Sequence, residues 1–393
     1  MRIGMILDNV YPPDPRVENE AIELIKKGHD VFLFCLTYGN EKEEELVKGI
    51  NVRRYKTNTF EYKMSALVYT VPVYTFLMKG KISNFIHKNK IEAIHIHDIR
   101  IAEAAFKANE KNVLPVILDL HENRPEIMRF YPHMQKLRGK LLISIEKWKK
   151  KEEEFIKKAT KVVVVTNEAK KEIVHRVGVD EEKIVVVPNT VRKSFYENAD
   201  VPEVPYKKKE EDFTLLYLGD TGNRRGLETV LESLVVLKEK IENLTFVIVG
   251  KSNPELERQI ESFRLKDCVK LMGWRDAKTF PNWVRNSDIG LSPLHRNIHH
   301  DTTFANKLFQ YMSFGKPILV SDATVQKILV EEVESGLVHE ERNSEDFTEK
   351  LLRMYEDEAL RKKMGENGKD FVRNHFTWDK TSKDLIALYN NLA

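Results

Sequence analysis

Two series of short apolar runs, each alternating with longer amphipathic stretches, constrain this 393-residue chain more than any other feature. In the first half the runs fall at 3–7, 31–36, 93–97, 116–120, 162–165 and 184–187. Helical patterns lie between several of them, such as 17–27 and 168–177, each closed by a glycine. Continuous apolar runs such as KVVVVT are typical of strands covered on both faces. The alternation predicts a parallel sheet with helices on both sides.

The alternation stops at residues 189–212, which contain Pro202, Pro205 and a charged run, and we interpret this stretch as a linker. A second series follows at 213–218, 244–249, 269–272, 289–291 and 318–320. Because domains usually hold about 100–200 residues, the sequence predicts two doubly wound, Rossmann-like domains, 1–195 and 196–369. The final helical region, 370–393, could belong to either domain, and packing back onto the first is one hypothesis.

Composition excludes several classes of protein. The net charge of +3 is too small to argue for a nucleic-acid partner. Cys35 and Cys268 lie far apart, so no disulfide framework is expected and a reducing compartment fits. The first residues read directly as a strand, without the apolar stretch of a signal peptide, and we expect a cytoplasmic protein.

Two segments bear on membranes. The apolar stretch 64–78 is shorter than the roughly 20 residues of a spanning helix and contains Pro72, so we predict a buried or surface-attached helix. Segment 136–158 is rich in lysine, with Trp148 interleaved. Peripheral contact with anionic lipid at the inner face of a membrane is one hypothesis for it, and solvated charge is the other.

Ligands of open α/β sheets bind beyond the carboxyl ends of the strands. With two facing domains, we expect the ligand cleft to lie between them. Polar residues or glycines follow the predicted strands at Asp8, His97, Asp98, His121, Glu122 and Thr166 in the first half, and at Gly219, Gly250, Gly273 and Ser321 in the second.

Two places in the second half could hold a phosphate. Arg224 and Arg225 stand just ahead of a predicted helix, after Gly219. A helix N-terminus attracts anions, and arginine adds a planar fork of donors. Lys307 lies at the start of another predicted helix, for which 301–303 are candidate capping residues. Two such helix starts suit a diphosphate, although solvated surface loops are the alternative.

The chain resembles family 4 glycosyltransferases, which are retaining, nucleotide-sugar-dependent enzymes of the GT-B fold. The resemblance runs almost end to end, and the order and spacing of the motifs make it specific. The motifs are YPPDPRVENEAIELIKKGHDV, IHIHD, ILDLHENRPE, KVVVVTNEAKKEIV with KIVVVPN, YLGDTGNRRGLE, VKLMGW and NKLFQYMSFGKPILVSD.

The resemblance implies that a sugar moves from a nucleotide diphosphate, with a UDP-sugar expected first, to a glycan or lipid-linked acceptor in surface polysaccharide biosynthesis. No metal or other cofactor is expected. The implied catalytic residues are His121, Glu122, Arg225 and Lys307; the donor-binding residues are Gly219, Arg224, Trp274, Arg275, Thr302, Phe304, Ala305, Asn306 and Gln310; Arg16 and His97 lie on the acceptor side.

The sequence departs from the family pattern at two places. The family usually carries two glutamates with seven residues between them, where this chain has Thr302 and Gln310. Asp301 is one residue away and could replace the first. Gln310 can still accept a ribose hydrogen bond but without charge, so we expect nucleotide binding to weaken by about 1 kcal/mol. Asp220 stands where many members carry a basic residue, and Arg224 could compensate.

Several interpretations stay open. His121 is expected to position the transferred sugar, although a structural histidine at a strand end is the simpler alternative. Arg16 could bind an acceptor phosphate or pair with Glu20 one helical turn away. The group around His299 and His300 matches no zinc spacing, so no metal site is predicted. Beside the transferase, a non-catalytic GT-B-like binding or scaffold subunit and a GT-B sugar-nucleotide epimerase remain alternatives.

Overall fold

The computed structural model describes residues 1–131, 134 and 142–392. The chain divides into two compact units, the first comprising 1–188 with 382–393 and the second 189–381. The sequence analysis had placed the boundary near 195. The division falls earlier because Val191, Tyr196 and Val204, from the stretch interpreted as a linker, are buried in the core of the second unit.

The first unit is built on an eight-stranded sheet in the order β3-β4-β2-β1-β5-β6-β7-β8. All neighbours are parallel except β3 and β4, which form an antiparallel edge hairpin that the sequence analysis missed. The strands are β1 (Arg2–Val10), β2 (Asp30–Thr37), β3 (Glu44–Val47), β4 (Ile50–Lys56), β5 (Ala93–His97), β6 (Val116–Leu120), β7 (Lys161–Val164) and β8 (Ile184–Val186).

Most helices of this unit bury apolar side chains in its core. They are α1 (Pro15–Lys26), α2 (Thr59–Ser65), α3 (Val73–Lys88), α4 (Ala102–Asn109), α5 (Arg124–Met128), α6 (Ile145–Lys158) and α7 (Asn167–Val177). α1 begins at Asp14, whose side chain accepts a hydrogen bond from the Val17 N–H. α7 ends at Gly178, whose φ of 68° suits the left-handed cap.

The two segments considered for membrane contact differ from expectation. The stretch 64–78 is not one helix: it holds the end of α2, a turn and the start of α3, whose N-cap is Pro72. Residues 136–141 lie outside the described part, and Trp148 of α6 is buried against Tyr69, so it cannot meet lipid. In the described part of the chain, no helix combines the length and apolarity needed to cross a bilayer.

The second unit carries a six-stranded, wholly parallel sheet in the order β11-β10-β9-β12-β13-β14. Its strands are β9 (Phe213–Leu218), β10 (Leu244–Val249), β11 (Val269–Leu271), β12 (Ile289–Ser292), β13 (Ile318–Ser321) and β14 (Gly336–His339), the last of which the sequence analysis did not predict. The strand order reverses at β9, so the ligand-binding edge lies beyond the carboxyl ends of β9 and β12.

Most helices of the second unit cover the two faces of this sheet. They are α8 (Lys193–Glu197), α9 (Leu227–Leu237), α10 (Pro254–Ser262), α11 (Phe280–Arg285), α12 (Ile298–Thr302), α13 (Lys307–Ser313), α14 (Thr324–Val333), α15 (Ser344–Glu356), α16 (Glu358–Asp370) and α17 (Trp378–Thr381). A π-helical turn, Phe371–His375, follows α16.

The last helix, α18 (Lys383–Asn390), belongs to the first unit. It packs on α1 and β8, and the Tyr389 hydroxyl lies 2.8 Å from His95 Nδ1. Only residues 382–393 belong to the first unit, whereas the hypothesis from the sequence was that the whole of 370–393 packs back onto it. Residues 370–381 stay with the second unit, where Phe376 stacks against Phe309 and Phe371.

Candidate active site

The loop after β9 is shaped by glycines. Gly219 has φ +125°, and Gly226, with φ +69°, is the N-cap of α9. A Cβ added at Gly226 would lie 1.7 Å from the carbonyl oxygen of Pro293, so the loop approaches the end of β12 too closely for any other residue. Between the two glycines, the short 3₁₀ turn Asn223–Arg225 presents both arginines.

Lys307 points at this loop from the first turn of α13. A Cβ added at Gly219 would lie 3.8 Å from Lys307 Nζ. The same nitrogen lies 3.4 Å from the centre of the Tyr217 ring on β9. It is buried and has no hydrogen-bond partner within the described part of the chain. Burial, followed by the charge of Arg225, holds the pKa of Lys307 well below its usual value.

Asp220 supplies the negative charge at this loop. Its Oδ2 lies 3.2 Å from Arg225 Nε and 3.8 Å from Arg224 Nη2. Burial alone would raise the pKa of Asp220, but the two arginines outweigh burial and lower it. The structure therefore brings Gly219, Asp220, Arg225 and Lys307 together at the carboxyl end of β9, and the carboxylate occupies part of the space in which an anion would meet the arginines.

The remaining predicted donor residues have other surroundings. Thr302 lies in α12, where its hydroxyl donates to the Ile298 carbonyl. Phe304 is half-buried against Phe309, and Gln310 is half-buried on α13. Ala305 and Asn306 form the turn before α13, and Trp274 and Arg275 are exposed after β11.

The predicted capping of α13 is wrong. Asn297 caps α12 by accepting from the His300 N–H, so Asp301 and Thr302 are helical rather than capping. Asp301 Oδ1 accepts from the backbone N–H and hydroxyl of Thr324 and lies 3.2 Å from Arg296 Nε. That oxygen is committed to α14, which disfavours the idea that Asp301 replaces the missing family glutamate.

A second polar group lies inside the first unit. Arg16 of α1 donates to both oxygens of Asp119 on β6, each bond 2.8 Å long, and its Nη2 lies 2.8 Å from Glu20 Oε1. On β5, His97 Nδ1 lies 3.2 Å from Asp119 Oδ2, and His95 Nε2 lies 3.4 Å from Glu20 Oε2. We call Arg16, Glu20, His95, His97 and Asp119 the buried network.

The buried network answers two open questions. Arg16 and His97 are buried, and their side chains are engaged inside the unit, which favours the structural pairing of Arg16 over an acceptor contact. The donor atoms of Glu20, His95, His97 and Asp119 lie within 4.8 Å of one another, a spacing compatible with a metal ion. Because Arg16 already binds both Asp119 oxygens and reaches Glu20, we interpret the group as an ion-pair network instead.

His121 connects this network to solvent. It follows β6, its Nδ1 lies 3.4 Å from Asp119 Oδ2, and 19% of its side chain is exposed. Glu122 is more exposed and lies 3.6 Å from Arg124 Nη2, which also pairs with Asp98. The sequence analysis singled out His121 but missed Asp119. The available signal was a carboxylate inside the otherwise apolar strand VILDL, level with the alternating histidines of IHIH.

His295 and His300 of the second unit make contacts within the fold. His295 Nε2 lies 2.9 Å from Glu228 Oε1, and His300 Nδ1 lies 2.7 Å from the His295 carbonyl oxygen. Burial lowers the pKa of His300 to about 3, so its imidazole is neutral. These contacts tie α12 to the start of α9.

Comparison with known proteins agrees with this architecture. A family model described as glycosyltransferase family 4 matches residues 16–195, and one described as glycosyl transferases group 1 matches 203–371. The chain is a family 4 glycosyltransferase. The predicted fold is also confirmed, because both units are Rossmann-like and the structural neighbours are GT-B glycosyltransferases.

Among curated relatives, an uncharacterized glycosyltransferase of Methanocaldococcus jannaschii is 24% identical over 98% of this chain and 96% of its own. The capsular polysaccharide biosynthesis glycosyltransferase CapM of Staphylococcus aureus is 22% identical over 59% of this chain and 62% of its own. Homologues of this family 4 glycosyltransferase thus act in polysaccharide and glycolipid biosynthesis.

Two solved structures show the same fold. Sucrose-phosphate synthase from Thermosynechococcus elongatus superposes with a TM-score of 0.77 at 16% identity, covering 100% of this chain and 98% of that one. Anabaena HepE, in complex with UDP, superposes with a TM-score of 0.71 at 14% identity, covering 100% of both.

Proposed function

We propose that this glycosyltransferase moves a sugar from a UDP-sugar to a glycan or lipid-linked acceptor in surface polysaccharide assembly, with retention of configuration and without a catalytic metal. The observation that carries the proposal is the buried side-chain nitrogen of Lys307, which has no hydrogen-bond partner among the described residues. Burying such a group without a partner is unfavourable, and an anion would supply the partner and favour the charged form of the lysine. Its neighbour Arg225 and the glycine-shaped loop after β9 suit a diphosphate.

The chemistry follows from charge. As the glycosidic bond breaks, negative charge grows on the leaving diphosphate, and preorganised cations stabilise it. Lys307 and Arg225 supply this stabilisation without a metal. Retention fits attack from the face of the leaving group, with the leaving phosphate taking the acceptor proton. His121 positions the transferred sugar, and Glu122 is the second candidate for that role.

A donor screen tests the proposal and separates the alternatives. UDP- and GDP-sugars are added to the full chain, and the melting temperature is followed. A ligand at 100 times its Kd adds about 2.7 kcal/mol, which shifts the melting point visibly. Donors that bind are then incubated with glycan and lipid-linked acceptors in EDTA, and the product anomer is read by NMR.

Each outcome of the screen has one interpretation. A glycoside of retained configuration formed in EDTA supports the proposal. Donor binding with neither transfer nor hydrolysis supports the scaffold alternative, and an altered free nucleotide sugar supports the epimerase. Transfer that requires a divalent ion contradicts metal independence, and inversion contradicts the retaining mechanism.

A lipid-linked acceptor would be reached by peripheral contact with an anionic membrane. In place of the segment containing Trp148, the exposed apolar side chains of α2 and α3 are the candidates: Phe60, Tyr62 and Phe76, of which Phe76 is 78% exposed. Vesicles of anionic lipid at low salt should bind the wild type and should bind Phe76→Ser more weakly or not at all. Val113→Ser, which removes another exposed apolar side chain of the same unit, should bind as the wild type does. Equal binding by all three proteins, or by none, would contradict the proposed membrane contact.

A further inference from the structure

The buried network carries more negative than positive charge. Asp119 and Glu20 each bring a carboxylate, and neither is exposed. Arg16 is the cation that pairs with both of them. The nearby Asp98 adds no net charge, because it pairs with Arg124, although its carboxylate still favours a charged His121. One negative charge therefore remains inside the unit, where it is costly unless a proton compensates it.

Only histidines and Glu20 itself can take that proton. His95 and His97 are fully enclosed, and burial lowers the pKa of His97 to about 3 despite Asp119. The His95 ring is held between Glu20 and the Tyr389 hydroxyl. His121 differs, because it contacts Asp119 and also reaches solvent, so charging its ring sacrifices less hydration.

We propose that Asp119 is a positioning residue for His121, and that the excess charge of the buried network keeps the His121 imidazole protonated. Asp119 accepts a hydrogen bond from Nδ1–H, which orients the ring. Nε2–H is then left to donate to the substrate. The inference rests on the proposed function for the nature of that substrate, a sugar hydroxyl or an acceptor oxygen.

The titration behaviour of the group agrees with this geometry. Burial alone would lower the pKa of His121, and Arg16 opposes its charge as well. The hydrogen bond and charge of Asp119, helped by Asp98, outweigh both effects and raise the pKa. Burial also raises the pKa of Glu20, so this carboxylate competes with His121 for the proton, and replacing Glu20 tests which of the two holds it. His121 therefore loses its charge at a higher pH than an isolated histidine does.

The experiment compares two matched variants on α1. Glu20→Gln removes one charge from the network with little change in shape. Glu23→Gln makes the same change one turn further on, at a buried carboxylate that pairs with Lys26 instead. The His121 ring is followed by NMR through a pH titration, with its signal assigned by absence from His121→Gln. The pH dependence of transfer is measured in parallel.

The expected results are specific. In the wild type His121 titrates above 6.5, and Glu20→Gln lowers that pKa by about half a unit or more, roughly a threefold change in proton affinity. In Glu20→Gln, the alkaline limb of the pH–rate profile for sugar transfer moves to lower pH by the same amount. Glu23→Gln behaves as the wild type. Asp119→Asn, if it folds, lowers the pKa of His121 further. It reduces kcat by a larger factor than it changes the KM for the donor.

The inference is overturned if wild-type His121 titrates at or below 6.5, or if Glu20→Gln and Glu23→Gln have equal effects. The NMR measurement needs no activity. If His121→Gln transferred sugar at the native rate, the substrate role of His121 would fail, while the charge state of its ring would still be decided by the titration.

Discussion

The side-chain nitrogen of Lys307 lies 3.4 Å from the centre of the Tyr217 ring, so β9 and the first turn of α13 meet at this one nitrogen. The aromatic face favours a positive charge at the nitrogen but offers no lone pair. The lysine is thus held in place by Tyr217 with its N–H donors unused by the described residues. This arrangement leaves the lysine able to donate hydrogen bonds to an anionic ligand.

Replacing Lys307 should separate binding from stability. Lys307→Met should weaken UDP-sugar binding by about 10- to 100-fold, because a charge-assisted hydrogen bond contributes roughly 1.5–3 kcal/mol. The melting temperature of the ligand-free protein should hold or rise, because the variant removes an unpartnered buried amine. Calorimetry and thermal melts measure the two quantities.

Lys316→Met is the control for this substitution. Lys316 Nζ donates to the carbonyl oxygens of Ser287 and Arg285, so its bonds are internal to the unit. This variant should lose stability and keep donor affinity. If Lys307→Met behaves in the same way, Lys307 is a structural residue and the proposed diphosphate site is lost.

Donor binding should take up a proton. Burial and Arg225 lower the pKa of Lys307 in the free protein, and a bound diphosphate raises it again. Affinity should therefore fall as pH rises through the interval between the free and bound values. Calorimetry in buffers of different ionisation enthalpy would show the uptake, and Lys307→Met should abolish it. Binding enthalpies independent of the buffer would contradict a neutral Lys307.

Asp220 should compete with the donor for the arginines. Its carboxylate lies 3.2 Å from Arg225 Nε, and more than half of its side chain is exposed. Asp220→Asn should therefore tighten donor binding only about two- to fivefold, and less at high salt. Asp267→Asn, which removes an exposed carboxylate elsewhere in the unit, should change nothing. Weaker binding by Asp220→Asn would show that this carboxylate assists the donor.

Replacing Gln310 with glutamate, the family's usual residue, should strengthen nucleotide binding. Gln310→Glu should tighten UDP binding by about 1 kcal/mol, roughly fivefold, if this position accepts from the ribose hydroxyls. Binding of inorganic pyrophosphate, which has no ribose, is the internal control and should not improve. A variant that binds UDP no better than the wild type would place the ribose elsewhere.

Glu152 should make stability depend on pH. Burial raises its pKa from 4.5 to about 7, although Arg176 Nη2 lies 2.7 Å away. Between these two values the folded state holds the proton more tightly, so the stability that this group contributes is present below pH 4.5 and lost as pH rises through 7. Glu152→Gln mimics the protonated form and should stabilise the protein by up to roughly 3 kcal/mol at pH 8, with little effect near pH 4.5.

Denaturant melts at both pH values measure this effect. Glu153→Gln removes the neighbouring, partly exposed carboxylate that also contacts Arg176 and should give no such gain. An equal stability difference for Glu152→Gln at both pH values would show that Glu152 is charged throughout.

Local sequence pattern sufficed for the framework. Apolar runs without alternation mark the parallel strands, because both faces of such a sheet are covered, and the break near residue 190 separates two such sheets. The edge hairpin β3–β4 escaped prediction because β3 is only four mostly exposed residues and β4, INVRRYK, is mostly polar. β14 escaped because four residues, Gly336–His339, are too few for a pattern.

The roles of individual side chains could be predicted from the sequence less completely than the framework. Arg225 and Lys307 could be selected because charge at the end of an apolar strand, or at a helix start, is conspicuous. The capping role given to Asp301 was wrong because Asn297, four residues earlier, caps α12 and makes Asp301 helical. Asp119 was overlooked because Arg16, which donates to both of its oxygens, lies 103 positions away in the sequence.

By itself, then, the sequence determined that this chain forms two parallel α/β sheets with cations beside a glycine-rich turn, since strand periodicity and turn chemistry act over a few residues. Only the tertiary structure decided which charges satisfy one another. Arg16 meets an aspartate 103 positions away, and Tyr389 meets a histidine 294 positions away. Such pairs form because burial removes the competing water, and that condition exists only once distant segments have packed together.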